Sequence, residues 1–160
     1  MHNIQRFQLQ AASIEDAAAL SELAIRSKGY WDYTAEFLKD CQQELTYTAA
    51  QIAADNWCFV VAKDNTTASL AGFYALHFTQ QHQVELSALF VSPCCIGEKL
   101  GKQLFEHAIS NSKKHHCSKM QIQSDPFAEG FYLSQGAIKV GEAESQSIPG
   151  RFLPLLNMPL

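Results

Sequence analysis

Residues 85–105, ELSALFVSPCCIGEKLGKQLF, hold the most chemically suggestive spacing in the chain. An apolar, strand-like run ends at Val91, Pro93 stops it, and a helical pattern opens near Gly97. Such a junction aims the free N–H groups of a helix N-terminus, with the positive end of its dipole, at one point in space. Glycines let an anion approach the backbone, so Gly97 and Gly101 fit a pyrophosphate cradle. The same pair also fits a plain strand-to-helix connection. The loop matches neither G-x-x-x-x-G-K-[ST] nor G-x-G-x-x-G, the usual nucleotide signatures. Five cysteines (Cys41, Cys58, Cys94, Cys95, Cys117) form an odd set without disulfide-framework spacing, which fits a reducing compartment. No C-x-x-C occurs, adjacent Cys94 and Cys95 are poorly placed to hold one ion, and His115-His116 reads as exposed. No metal site is expected.

The elements that must position this loop follow from hydrophobic period and turn residues. A strand is predicted over 4–9, carrying Phe7 and Leu9. Ser13 and Asp16 form a capping box before a helix over 14–27, whose Ala17, Leu20, Leu23 and Ala24 recur at helical spacing; Gly29 ends it. A second helix is predicted over 34–45, with Phe37, Leu38, Cys41 and Leu45 on one face. Strands over 57–63 and 70–78, joined by a turn at Asp64-Asn65-Thr66-Thr67, read as an antiparallel hairpin, and Gln83–Val91 as a third central strand. Strict alternation along it puts Glu85, Ser87, Leu89 and Val91 on one face. A long helix follows over 97–116, with Leu100, Leu104, Ala108 and either Phe105 or Ile109 inward. A strand over 120–124, a helix over 126–135 and strands over 139–144 and 152–156 complete the chain. The order βααβββαβαββ predicts an α+β fold: a mixed, mostly antiparallel sheet with helices on both faces.

Composition sets outer limits. The 160 residues, 47% hydrophobic and 18% charged, suit a single domain over 1–160 that needs no staple. Twelve basic against 16 acidic residues leave a net charge of −4, unsuited to general nucleic-acid binding. No run of about 18 apolar residues exists, so no membrane span is expected. MHNIQRFQLQ lacks an apolar signal core, so a cytoplasmic location is expected. The charge is uneven: residues 1–55 carry eight acids and four bases, whereas 97–119 carry five lysines and two glutamates. That split reads either as solvated surface or as a basic cofactor end facing an acidic acceptor end.

The loop V-S-P-C-C-I-G-E-K-L-G-K-Q-L resembles motif A of the GNAT superfamily, the acyl-CoA-dependent N-acyltransferases, through Val91, Pro93, Gly97, Leu100, Gly101 and Leu104. Two positions depart from that pattern: Ile96 stands where Gln or Arg is usual, and Lys99 where Gly is usual. Lys99 is awkward if its backbone must take a positive φ, although its ammonium could offset phosphate charge. Downstream, Asp125, Ala128, Phe131, Tyr132, Gly136 and Ala137 are similar to the family's N-x-x-A-x-x-F-Y-x-x-x-G-[FA] pattern, with Asp in place of Asn. The element order agrees too, and the C-terminal S-x-S-I-P-G-R-F-L-P-L run resembles a subgroup.

The resemblance implies an acetyl-CoA-dependent N-acetyltransferase that acts on a primary amine by direct transfer in a ternary complex. It implies a cofactor site at Leu89, Phe90, Val91, Ile96, Gly97, Glu98, Lys99, Leu100, Gly101, Lys102, Asp125, Ala128 and Phe131. Backbone groups of Leu89 and Val91 would hold the pantetheine arm. Tyr132 would be the acid for the leaving thiolate, or else a packing residue. Glu85 would be the base acting through water, or else a surface carboxylate paired with a lysine. The acceptor would meet Trp31 and Tyr33, as a wall for a cationic or amphipathic amine, or Arg151, as a clamp on a carboxylate; core packing accounts equally for the two aromatics. Cys94 and Cys95 flank the loop without an adjacent His, which disfavours an acyl-enzyme. Two other readings fit the same residues: a non-catalytic acyl-CoA-binding regulatory module, suggested by Ile96 and Lys99, and a protein or peptide N-acetyltransferase. The apolar run over 152–156 must be buried in its own sheet or in a homodimer contact.

Overall fold

The computed structural model describes residues 5–160. The first strand, β1, is Phe7–Ala11; the part of the predicted strand at Ile4 lies outside the described residues. The Ser13–Asp16 box forms, with Ser13 N–H donating to Asp16 Oδ2 at 2.8 Å. It caps a single 3-10 turn (Ile14–Asp16), from which α1 (Ala17–Lys28) continues. The predicted helix over 34–45 is shorter: α2 (Ala35–Asp40) is capped by Thr34, whose hydroxyl accepts from Phe37 N–H at 3.1 Å. The chain then tightens into turns, with Thr46 Oγ1 bonding back to Gln42 O, yet Cys41 and Leu45 remain buried as the pattern required. One helix has no counterpart in the sequence reading: α3 (Ala49–Ala53) is too short to show a period and stands on the reciprocal Thr48–Gln51 cap.

Next come β2 (Trp57–Asp64), β3 (Leu70–Gln80) and β4 (Gln83–Val91), an antiparallel meander, then a 3-10 turn (Pro93–Cys95) and α4 (Leu100–Lys114). The chain ends with β5 (Lys119–Gln123), α5 (Glu129–Ser134), β6 (Ile138–Glu144) and β7 (Phe152–Pro159). Helix α5 starts three residues later than predicted because the Asp125 carboxylate accepts from Phe127 N–H at 2.9 Å, fixing a turn there. The seven strands form one sheet in the order β1-β2-β3-β4-β5-β7-β6, antiparallel except for β4 with β5. No helix among the described residues is long and apolar enough to cross a membrane.

One apolar cluster lies on each face of the sheet. Leu100, Leu104, Phe105 and Ala108 of α4 pack with Tyr74, Leu76, Val84, Leu86 and Tyr132 on one side; Phe105, rather than Ile109, is the fully buried choice. Leu20, Leu23 and Ala24 of α1 pack with Phe59, Val61, Phe73 and Ala88 on the other. The C-terminal run pairs within its own sheet, β7 lying between β5 and β6 with Leu153 and Leu156 inward, while Phe152 at its start is exposed.

Two irregularities shape the centre of the sheet. Ala75 pairs with Ala88 but Leu76 with Leu86, so Ser87 is an extra residue, a β-bulge in β4. It reverses the alternation: Val84 and Leu86 face the α4 side, and so do Leu89 and Val91, while Ala88 and Phe90 face the α1 side. The expectation that Glu85, Ser87, Leu89 and Val91 share a face is therefore wrong, since an added residue moves everything beyond it to the opposite side. The second irregularity is a splay. β4 pairs with β5 only through Gln83, Val84 and Glu85, after which β5 bonds only to β7. The β5-side backbone edge of β4 over 86–91 is left open.

Candidate active site

The open edge of β4 borders a cleft of about 1180 Å³. Leu89, Phe90, Val91, Ile96, Gly97, Lys99, Leu100, Gly101, Lys102, Asp125, Ala128 and Phe131 line it, together with Tyr132, Glu85 and Trp31. The α4 end is built by backbone. β3 presses against the end of β4 at Gly72, where an added Cβ would lie 2.8 Å from Phe90 O, so only glycine permits the approach. Beyond β4 the chain is pinned by Ser92 N–H donating to Ala71 O at 2.7 Å. It then turns through Gly97 at φ 88° and Lys99 at φ 63°. Lys99 thus takes the left-handed conformation on a residue type that pays a steric penalty for it, about 1–2 kcal/mol. No side chain caps α4, and its first long helical bond runs from Gln103 N–H to Lys99 O at 3.2 Å. The N–H groups of Leu100, Gly101 and Lys102, at the positions a helix leaves unpaired, all belong to residues of the cleft wall. This end suits an anion.

Glu98 departs from the predicted set. It does not line the cleft, because its carboxylate pairs with Arg6 at 3.3 Å and Arg6 also bonds Asp64. Its N–H donates to Cys95 O at 3.3 Å.

Tyr132 is buried against Phe105 and Phe131, with ring centroids 5.4 and 5.2 Å away. Burial pushes its phenol well above the usual tyrosine range, and nearby Asp125 adds to this. The group stays protonated at neutral pH.

At the other end, Glu85 is set beside His77 as its cross-strand partner on β3. The His77 ring stacks on Trp57 (centroids 4.1 Å apart, planes at 6°), and its Nε2 lies 3.3 Å from Asn56 Nδ2. Asp40 and Glu44 also line the cleft. Glu44 also accepts a short hydrogen bond from the Ser147 hydroxyl, tying the turn after α2 to the β6–β7 loop.

Of the predicted acceptor residues, only Trp31 lines the cleft, and it stacks on Phe127 at 5.2 Å with planes at 4°. Tyr33 and Arg151 are not on the wall; they hold each other. Arg151 Nη2 donates to Tyr33 Oη at 2.9 Å, and Tyr33 Oη donates to Asp125 Oδ2 at 2.8 Å. Lys28 Nζ sits 3.5 Å from the same carboxylate. Burial, reinforced by the hydrogen bond to Asp125, pushes the Tyr33 phenol up to about 12. Arg151 therefore spends its guanidinium on Tyr33 and on the face of Phe37, 4.7 Å away, instead of presenting it to a carboxylate in the cleft.

Sequence reasoning missed Lys28, Asp40, Glu44, Trp57, His77 and Phe127, all on the cleft wall. For His77 a signal existed in the hairpin, but ideal pairing from Gln80 opposite Gln83 would have set Phe78 against Glu85; the register irregularity between His77 and Gln80 puts His77 there. For the others nothing local distinguishes a wall residue from a surface one.

The model of the acetyltransferase (GNAT) domain matches residues 11–152. Among solved structures, a PaiA N-acetyltransferase from Thermoplasma acidophilum in complex with coenzyme A is 19% identical, with a TM-score of 0.77 over 98% of this chain and 100% of that one. A spermidine N-acetyltransferase chimera involving Vibrio cholerae is 16% identical, with a TM-score of 0.72 over 97% and 96%. A ribosomal-protein alanine N-acetyltransferase from Escherichia coli is 16% identical, with a TM-score of 0.70 over 96% and 93%. At these identities the likeness is one of fold. No curated protein matches by sequence.

Proposed function

The chain belongs to the GNAT acetyltransferase family, and from that premise we propose that it transfers an acetyl group from acetyl-CoA to the primary amine of a small cationic acceptor, directly and without an acyl-enzyme. The observation that carries the reading is the make-up of a single cleft. Residues at the unpaired N-terminus of α4, Lys99 and Lys102 among them, line the same cleft as the carboxylates Asp40, Glu44 and Glu85 and the Tyr132 phenol.

The pyrophosphate would lie at the N–H groups of Leu100, Gly101 and Lys102, where backbone dipoles and two ammonium groups offset its charge. The pantetheine arm would add to the open edge of β4 near Leu89 and Val91, as a strand adds to a sheet. The amine would be drawn in by the carboxylates of Asp40, Glu44 and Glu85 on the cleft wall. Glu85, acting through water, takes its proton as the nitrogen attacks the thioester carbonyl. Collapse of the tetrahedral intermediate breaks the C–S bond, and Tyr132 protonates the departing thiolate. The products are an N-acetylated amine and CoA. The Glu44–Ser147 and Arg151–Tyr33–Asp125 links bridge elements around the acceptor end, which favours a small acceptor over an extended peptide.

An amine panel with thiol detection, alongside thermal unfolding with acetyl-CoA, tests the reading. The expected result is a raised Tm with acetyl-CoA and thiol release with di- or polycationic amines. A raised Tm with no thiol release from any amine would support the acyl-CoA-binding module instead. No change in Tm at saturating acetyl-CoA would sink both. Glu85→Gln is expected to lower kcat about tenfold in steady-state kinetics, and unchanged kcat would remove its role as base.

A further inference from the structure

Cys94 and Cys95 occupy the 3-10 turn that leads from β4 into the cradle. Their sulfurs lie 3.7 Å apart. Cys94 is the exposed cysteine of the five, while Cys95 is buried and lines the cleft. The turn holds the loop in place: Cys95 N–H donates to Ser92 O at 2.8 Å, and Cys95 O accepts from Glu98 N–H at 3.3 Å, one residue before left-handed Lys99. We propose that Cys94 and Cys95 form a reversible vicinal disulfide that distorts this turn and switches off acetyl-CoA binding. The inference rests on the acetyl-CoA reading given above.

The chemistry balances with a peroxide as oxidant. The Cys94 thiolate attacks hydrogen peroxide, giving the sulfenic acid and hydroxide. The Cys95 thiol then displaces the sulfenic oxygen as water, so that two thiols lose two hydrogens and the peroxide becomes two waters. The surroundings assign the roles. Hydrogen bonds from the Ser92 hydroxyl, 3.2 Å away, and from Cys95 hold the Cys94 thiol below its usual range, whereas burial pushes Cys95 up to about 11. Cys94 is therefore the reactive partner and Cys95 the resolving one.

Closing the bond must disturb the loop. The sulfurs have to approach to about 2.05 Å, and adjacent Cα atoms, about 3.8 Å apart, lie closer than the usual disulfide span. The backbone of the turn has to rotate to compensate, which takes Cys95 O away from Glu98 N–H just before the phosphate-facing N–H groups. A strained disulfide is also easily reduced, as a switch requires.

The test uses the full chain, hydrogen peroxide, peptide mapping and calorimetric titration with acetyl-CoA. Peroxide is expected to produce a Cys94–Cys95 disulfide and raise the acetyl-CoA Kd by about tenfold or more, and dithiothreitol to restore it. Cys94→Ser is expected to bind acetyl-CoA normally before and after peroxide. A mapped Cys94–Cys95 disulfide with unchanged Kd would overturn the proposal, as would a loss of affinity that persists in Cys94→Ser, or oxidation of Cys94 to sulfinic acid with no disulfide. A reduced chain that does not bind acetyl-CoA would overturn the acetyl-CoA reading and the switch with it.

Discussion

At the α4 end of the cleft the donors are backbone N–H groups of near neighbours in sequence, residues 100–102, shaped by the left-handed backbone at Gly97 and Lys99. Where the acceptor is proposed to bind, the links are side chain to side chain and join residues 92, 103 and 118 positions apart. The first end is made by chain geometry and tolerates changes of side chain. The second is made by tertiary packing and depends on each side chain in turn. A site of the first kind should be hurt by changes in backbone freedom, and a site of the second kind by loss of single polar atoms.

Where chemistry meets both halves the largest effect is expected. Tyr132→Phe should lower kcat about a hundredfold while leaving acetyl-CoA affinity within about twofold, measured by steady-state kinetics beside calorimetry. Unchanged turnover would return Tyr132 to a packing role. Gly97→Ala comes next. Its Cβ meets nothing within 4 Å, so only the positive φ is penalised, and acetyl-CoA Kd should rise about tenfold. Ile96→Gln, which alters only a side chain in the same loop, should move Kd less than about twofold; a large change there would break the contrast between the halves.

In the acceptor half, Tyr33→Phe removes the hydroxyl bonded to both Asp125 and Arg151 and should cost about 1 kcal/mol of stability while raising acceptor KM. The pH dependence gives a second reading of the same link. A phenol whose folded pKa is raised stabilises the fold below its unfolded pKa of about 10, and that contribution fades as pH climbs toward the folded value. For Tyr33 that value is about 12. Alkaline unfolding should therefore steepen between about pH 10 and 12, less so in Tyr33→Phe, as followed by the phenolate absorbance and circular dichroism. The smallest effect is expected at Lys99→Gly, which relieves a left-handed residue and should raise stability by less than about 1 kcal/mol after glycine's entropy cost, read as a small rise in Tm.

The same division explains what the sequence disclosed. The strand-to-helix loop was legible because glycine spacing and the junction itself are local signals, and Lys99 could be flagged as awkward before its φ was known. The meander, α4 with its inward Leu100, Leu104 and Ala108, and the C-terminal strand were legible for the same reason, though Phe152 of that strand is exposed. The bulge at Ser87 was not, because an extra residue in a ladder appears only once two strands are in register, and it moved Leu89 and Val91 to the opposite face from the one Glu85 occupies. Helix α3 escaped notice because five residues cannot show a 3.6 period. In sequence Tyr33 reads as part of an acceptor wall and Arg151 as a carboxylate clamp, but they bond to each other and, through Tyr33, to Asp125, a pairing that no local pattern encodes.

The splay between β4 and β5 has a mechanical side as well. The seven strands hang together across the middle by three residue pairs, Gln83 with Lys119, Val84 with Met120 and Glu85 with Gln121. Force applied across the strands would concentrate on that short parallel seam, and a molecule wedged along the open edge would share the load. The last pair of that seam is Glu85 with Gln121, so the load would fall beside a residue proposed to take part in the reaction.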